Sequence, residues 1–91
     1  MDDQKREEVE EMLLKEGFAE VYTWTDGPNM FYGEHKHESK TAHIIIDGRM
    51  EIAMNGETNI YHPGDRIDVP ANTVHTAKMG PKGCTYVIGE S

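Results

Sequence analysis

Cysteine is almost missing from this 91-residue chain, and Cys84 stands alone. A single thiol excludes an internal disulfide framework and any Cys-x-x-Cys redox or zinc motif. Long apolar runs are missing too. None exceeds three residues, as at Ile44-Ile45-Ile46, far short of a helical membrane span. Basic residues are scarce: 9 Lys and Arg stand against 17 Asp and Glu, a net charge of −8 with neutral histidines. Binding to nucleic acid rests on phosphate neutralisation by Lys and Arg, so neither nucleic acid nor an anionic membrane is expected as a partner. The only serines, Ser39 and Ser91, lack the setting of a nucleophile elbow. No glycine-rich phosphate loop occurs. The first residues are charged instead of apolar, so no secretory signal is read and a cytoplasmic location is expected.

What is present divides into one helix and a series of short strands. The length suits a single domain, residues 1–91, with a modest core. "DDQKREEVEEMLLKEG" reads as a helix within residues 1–17, with Asp2 or Asp3 as N-cap and Gly17 as the C-terminal stop. Val9, Met12 and Leu13 give it a narrow docking stripe. From Phe18 to the end, β-prone runs alternate with Gly, Pro, Asn and Asp. Breaks are expected at "TDGPN", at Asp47-Gly48, at Asn55-Gly56, at Pro63–Asp65 and before "TYVIGE". Asn55-Gly56 between two such runs is the strongest hairpin signal. Seven or eight short strands after one helix predict an all-β fold, a small sandwich or barrel over residues 18–91.

Three of the five histidines fall within "GEHKHESKTAH". Strand side chains alternate, so His35 and His37 share a face while Glu34 and Lys36 point to solvent. Their Cα atoms lie about 6.5–7 Å apart on an extended strand, a spacing from which two imidazoles can converge on one ion. The same parity puts Thr41, His43 and Ile45 on that face. Taken alone, His-x-His is a weak motif, and a histidine-rich surface loop is the commoner reading. A third imidazole arrives from "YHPGDRIDVPANTVHTAKM", where two turns lead to His75. Three histidines on separate strands suit a centre with positions left open for water or substrate. His62, in a Pro-Gly turn, is expected to be exposed and to bind nothing. Cys84 is expected as a small buried hydrophobe. Trp24, Phe31, Tyr86, Met50 and Met54 are expected in the core or lining a pocket. Met50, Ile52 and Met54 share one strand face.

Together the two stretches resemble the cupin superfamily. "HKHESKTAHIIIDG" matches the His-x-His core of the first cupin motif, with Gly48 eleven residues after His37. "GDRIDVPANTVH" follows the second motif, with Gly64, Pro70 and His75 in register. The resemblance implies a jelly-roll β-barrel (a double-stranded β-helix) with a metal bound by His35, His37 and His75. Two departures stand out. The slot of the family's glutamate ligand falls at Thr41 or Ala42, and Asn72 stands where the family has glycine. Asn tolerates the left-handed conformation that such a turn needs. With the glutamate missing, His43 is carried as a fourth candidate ligand, the alternative being pocket lining. A nitrogen-only site suits Zn, Ni, Fe, Mn or Cu better than Mg or Ca.

The function implied is a metal-binding protein, either an enzyme of dioxygenase or isomerase type acting on a small oxygenated metabolite, or a metal- or metabolite-binding module without turnover. Asp68 and Glu51 are the nearest acidic side chains by position, and both are candidates for solvent. Exposed strand edges and apolar residues lead to the expectation of a homodimer, formed through an edge strand or the N-terminal helix.

Overall fold

The computed structural model describes residues 3–91. Helix α1 spans Asp3–Lys15, followed by β1 (Glu20–Asp26), β2 (Phe31–His35), β3 (Thr41–Met54), β4 (Glu57–Tyr61), β5 (Arg66–Val69) and β6 (His75–Glu90). Asp3 is the first helical residue, and Asp2, the other N-cap candidate, lies outside the described residues. The helix ends as Gly17 predicts. Gly17 takes a φ of 101°, its N–H bonds to the carbonyl of Leu14, and the N–H of Phe18 reaches back to Leu13. That paired return is the Schellman closure, which needs a residue able to enter the left-handed region. It drops Phe18 onto Leu13 in the apolar cluster under the helix.

All pairings are antiparallel, and β3 and β6 carry the fold. Residues 41–48 of β3 pair with residues 84–90 of β6, flanked by β5 and β1. Residues 50–54 of β3 pair with residues 75–79 of β6, flanked by β4 and β2. The result is two four-stranded half-sheets, β5-β3-β6-β1 and β4-β3-β6-β2, facing each other as a jelly-roll barrel. Six strands therefore replace the seven or eight expected. The difference lies at Asp47-Gly48 and at residues 80–83, where the chain bulges and bends without turning back. Register shifts flank Gly48, whose φ is 79°. A Cβ at Gly48 would run into the carbonyl oxygen of Gly83, so the two crossing strands pass closer than any side chain would permit.

Alternation sorts the remaining residues. Ile45, Met50, Ile52, Ile67, Val69, Met79 and Ile88 fill the space between the half-sheets. Ala42, Ile44 and Val87 point the other way and meet Val9, Leu13 and Phe18 under the helix. Two polar clips fix α1 to the barrel. Thr23 donates to Glu10 at 2.7 Å, and the Arg66 guanidinium forks onto Glu16 at 2.7 and 2.8 Å. The Asn55-Gly56 hairpin forms as expected, with φ of 54° and 78°. Phe31 departs from expectation. It is 58% exposed on the outer face of β2, because its neighbour Tyr32 takes the inward position.

Candidate metal centre

His35 closes β2, His75 opens β6, and the two are cross-strand partners. His37 lies just past the strand. Its carbonyl accepts the N–H of Asn72 at 2.7 Å, so the turn before β6 holds the loop that carries it. Asn72 takes a φ of 59°, the left-handed conformation expected where the family has glycine. The parity reading holds: Glu34, Lys36 and Glu38 are exposed, while His35 and His37 turn inward. The ring centroids of His35 and His75 are 4.2 Å apart, those of His35 and His37 5.1 Å, and those of His37 and His75 5.5 Å. One ring nitrogen from each lies within 4.8 Å of the other two.

Two of these rings have fixed proton positions. His35 Nδ1 is 2.6 Å from the Gly33 carbonyl, and His75 Nδ1 is 2.9 Å from the Thr73 carbonyl. A carbonyl only accepts, so each Nδ1 carries the proton and donates it. Nε2 of each ring is then the lone-pair nitrogen, the form that binds metals, held by a backbone hydrogen bond behind the ring. Burial, with the neighbouring charges of His35 and His37, lowers the His75 pKa against the raising effect of its bond to Thr73. The donor set is thus convergent, and it fits a divalent transition metal.

His43 faces the same cavity but stands outside that group of nitrogens. Its ring centroid is 5.8 Å from that of Tyr86, and its buried Nδ1 has no hydrogen-bond partner. Burial first, then His75, His37 and His35, pull its pKa down to about 4, so it is neutral at physiological pH. Thr41, in the slot where the family keeps glutamate, is fully buried with its Oγ1 likewise unpartnered.

The cavity above these residues measures about 340 Å³. Met50, Ile52, Ala77 and Ile88 supply apolar surface, and Tyr22, Trp24, Tyr32 and Tyr86 supply rings. Behind the rings lies a residue that the sequence did not single out. Asp26 is buried and accepts three hydrogen bonds, from Trp24 Nε1 at 3.0 Å, Tyr32 at 2.8 Å and Tyr86 at 2.6 Å. Burial and then this carboxylate raise the pKa of both phenols. Glu90, also missed, lines the cavity and accepts the Tyr22 hydroxyl at 3.3 Å. Asp68 and Glu51 do not line it. Trp24 is 51% exposed, so it belongs to the cavity wall and not to the core, because β1 is a sheet edge with nothing beyond it. His62 is exposed, as expected. Cys84 is buried, and burial together with Asp26 and Asp47 pushes its pKa to about 12, the behaviour of a packed thiol and not of a nucleophile.

A fold built on two shared strands, with imidazoles converging at its cavity, defines a small antiparallel jelly-roll barrel carrying a three-histidine cluster. The cupin-domain family model matches residues 22–86, and the chain belongs to that family. Similar solved structures include KdgF from Halomonas sp., with 21% identity and a TM-score of 0.67 over 77% of this chain and 66% of that one. The DMSP lyase DddQ from Ruegeria pomeroyi matches with 20% identity and a TM-score of 0.70, over 77% of this chain and 36% of that one. An RmlC-like cupin from Shewanella frigidimarina matches with 18% identity and a TM-score of 0.71, over 78% and 63%. At these identities the likeness is one of fold, and the chain spans less than two thirds of each relative's length. No curated protein matches it. No helix among the described residues is long and apolar enough to cross a membrane.

Proposed function

We propose that the protein is a metal-binding cupin in which His35, His37 and His75 hold one divalent transition metal ion, Zn, Ni, Fe, Mn or Cu. The cavity then takes a small oxygenated metabolite. The observation that carries this reading is the pair of backbone bonds, His35 to Gly33 and His75 to Thr73, that aim Nε2 lone pairs into a cluster of three rings. When bound, such an ion supplies a Lewis acid with open positions that orient an oxygen-bearing ligand. His43 lines the pocket beside it as a neutral ring, and Thr41 offers a hydroxyl where a carboxylate ligand would be expected.

Turnover of dioxygenase or isomerase type is the enzymatic form of this reading. A binding module without turnover is the second form, and one observation favours it. The histidine group contains no carboxylate, and the two phenols bonded to Asp26 have raised pKa values, so neither serves as a base near neutrality. Elemental analysis tests the shared claim, with about one metal per chain expected. His35→Ala and His75→Ala should abolish uptake, and His62→Ala should leave it intact. A protein that stays metal-free after reconstitution with Zn, Ni, Mn and Fe removes the site. Oxygen uptake or product formation against a panel of oxygenated metabolites separates enzyme from binder.

The reading includes a cytoplasmic homodimer. The helix covers the β5-β3-β6-β1 half-sheet and leaves the outer face of the other bare. Across that face run Phe31, Lys78, Glu51 and Ile60 in register, with Phe31 58% and Ile60 50% exposed. A two-fold axis along the strands sets Lys78 opposite Glu51 of the partner subunit and Phe31 opposite Ile60 of the partner subunit. Light scattering at one chain mass overturns the dimer.

A further inference from the structure

Over residues 21–24 the inward side of β1 is more open than its outward side. Val21 and Thr23 point out of the barrel and are half-buried beside the helix, whereas Tyr22 and Trp24 point into the cavity and are 39% and 51% exposed. A barrel strand ordinarily shows the reverse, with its inner residues covered. Both rings are nonetheless held at their polar tips, Trp24 Nε1 by Asp26 and the Tyr22 hydroxyl by Glu90. Much of each ring stays exposed at the cavity. They continue across the sheet into Tyr86 and Ile88, their register partners, so the open rings extend an apolar wall that begins in the core. The clustered nitrogens of His35, His37 and His75 come from the other half-sheet and its loop, while His43 stands on the half-sheet of Tyr22 and Trp24, beside Ile88.

We propose that the ligand has two unlike ends: a pair of adjacent oxygen donors that meets the histidine centre, and an aromatic or similarly flat unsaturated body that covers Tyr22 and Trp24. The oxygen end rests on the metal reading above, and the flat end does not. An acyclic, fully hydroxylated metabolite has no extended apolar face to lay on the rings. A flat body gains both the buried area and the stacking geometry that immobilised rings offer. The cavity of about 340 Å³ is enough for one substituted ring.

The chain has one tryptophan, so its emission reports this wall directly. The test uses two hydroxamates with the same chelating head, benzohydroxamate and acetohydroxamate, titrated by calorimetry and by Trp24 fluorescence. In metal-loaded protein the ring-bearing compound should bind at least ten-fold tighter, after correction for how the pair binds the free ion, and it alone should change Trp24 emission. Trp24→Ala and Tyr22→Ala, made separately, should each cut that preference to about three-fold or less, with metal content and acetohydroxamate affinity unchanged. Equal binding of the two compounds in the native protein overturns the proposal, as does a preference that survives both substitutions. Should Trp24→Ala change the oligomeric state and leave the preference intact, a second chain covers the rings and the proposal fails. The metal-free protein separates this idea from the metal reading. A Trp24 response to benzohydroxamate there upholds the ring wall even if no metal is ever taken up, and silence in both forms overturns it.

Discussion

Asp26 sits behind the rings that wall the cavity and the histidine cluster lines it, and the two treat their polar atoms in opposite ways. At Asp26 two phenols and an indole close on one carboxylate, and the rings are locked. Around the histidines, nitrogen lone pairs converge on open space, and Thr41 Oγ1 and His43 Nδ1 have no partner. A buried polar atom without a partner costs free energy, so a chain selected only for stability would pair such atoms or replace them. The contrast teaches that one side of the cavity closes on itself through hydrogen bonds, whereas the other keeps polar atoms that no neighbour among the described residues satisfies.

Substitutions at the two ends should separate them, beginning with the largest effect. Asp26→Ala takes the charged acceptor from two phenols and an indole and should cost about 3–5 kcal/mol in urea unfolding, since each bond to a charged group contributes about 1.5–3 kcal/mol. A loss under about 1 kcal/mol would show that Asp26 is not the scaffold. The pH profile of the metal-free protein comes next. The folded-state pKa of His43 lies near 4, below the unfolded value near 6.5. The unfolded chain therefore takes up the proton first, and the contribution of His43 is complete above pH 6.5 and lost as pH falls toward 4. The total is on the order of 3 kcal/mol. His43→Gln should flatten that part of the profile, and an unchanged slope would assign the loss to other groups. His75→Ala should change the stability of the metal-free protein by about 1 kcal/mol or less, while removing any rise in melting temperature on metal addition. Smallest of all, Thr41→Val should be neutral or stabilising by up to about 1 kcal/mol, because it deletes a hydroxyl that has no partner. If it destabilises by more, Thr41 is paired in solution.

The histidine end was legible in the sequence and the aspartate end was not, for physical reasons. His35 and His37 stand out weakly through strand parity, which is local, and His75 joins them through the resemblance of both stretches to the cupin motifs. Asp26 sits in "TDGPN", which reads as an ordinary turn. Its role comes from Tyr86, sixty residues away, and no local pattern encodes that meeting. The same holds for Gly48 and Gly83. Each looks like a strand terminator, and only their mutual approach turns two expected loops into bends within continuous strands. The exposure of Trp24 depends on β1 lying at an edge, which is a property of strand order and not of composition.

Those continuous strands carry a kinetic consequence. Because β3 and β6 each pass through both half-sheets, neither half can form or melt without dragging the other. Their pairing starts nearest in the chain at Met54 with His75 and ends farthest at Thr41 with Glu90. Closing the nearer pair first shortens every later loop, so zipping from the histidine end toward the far end is the route with the lowest entropic toll. On that route His75 is placed early, whereas His35, forty residues away across the β2–β6 pairing, and His37, in the loop before Thr41, join it late, so the three imidazoles come together only as the barrel nears completion.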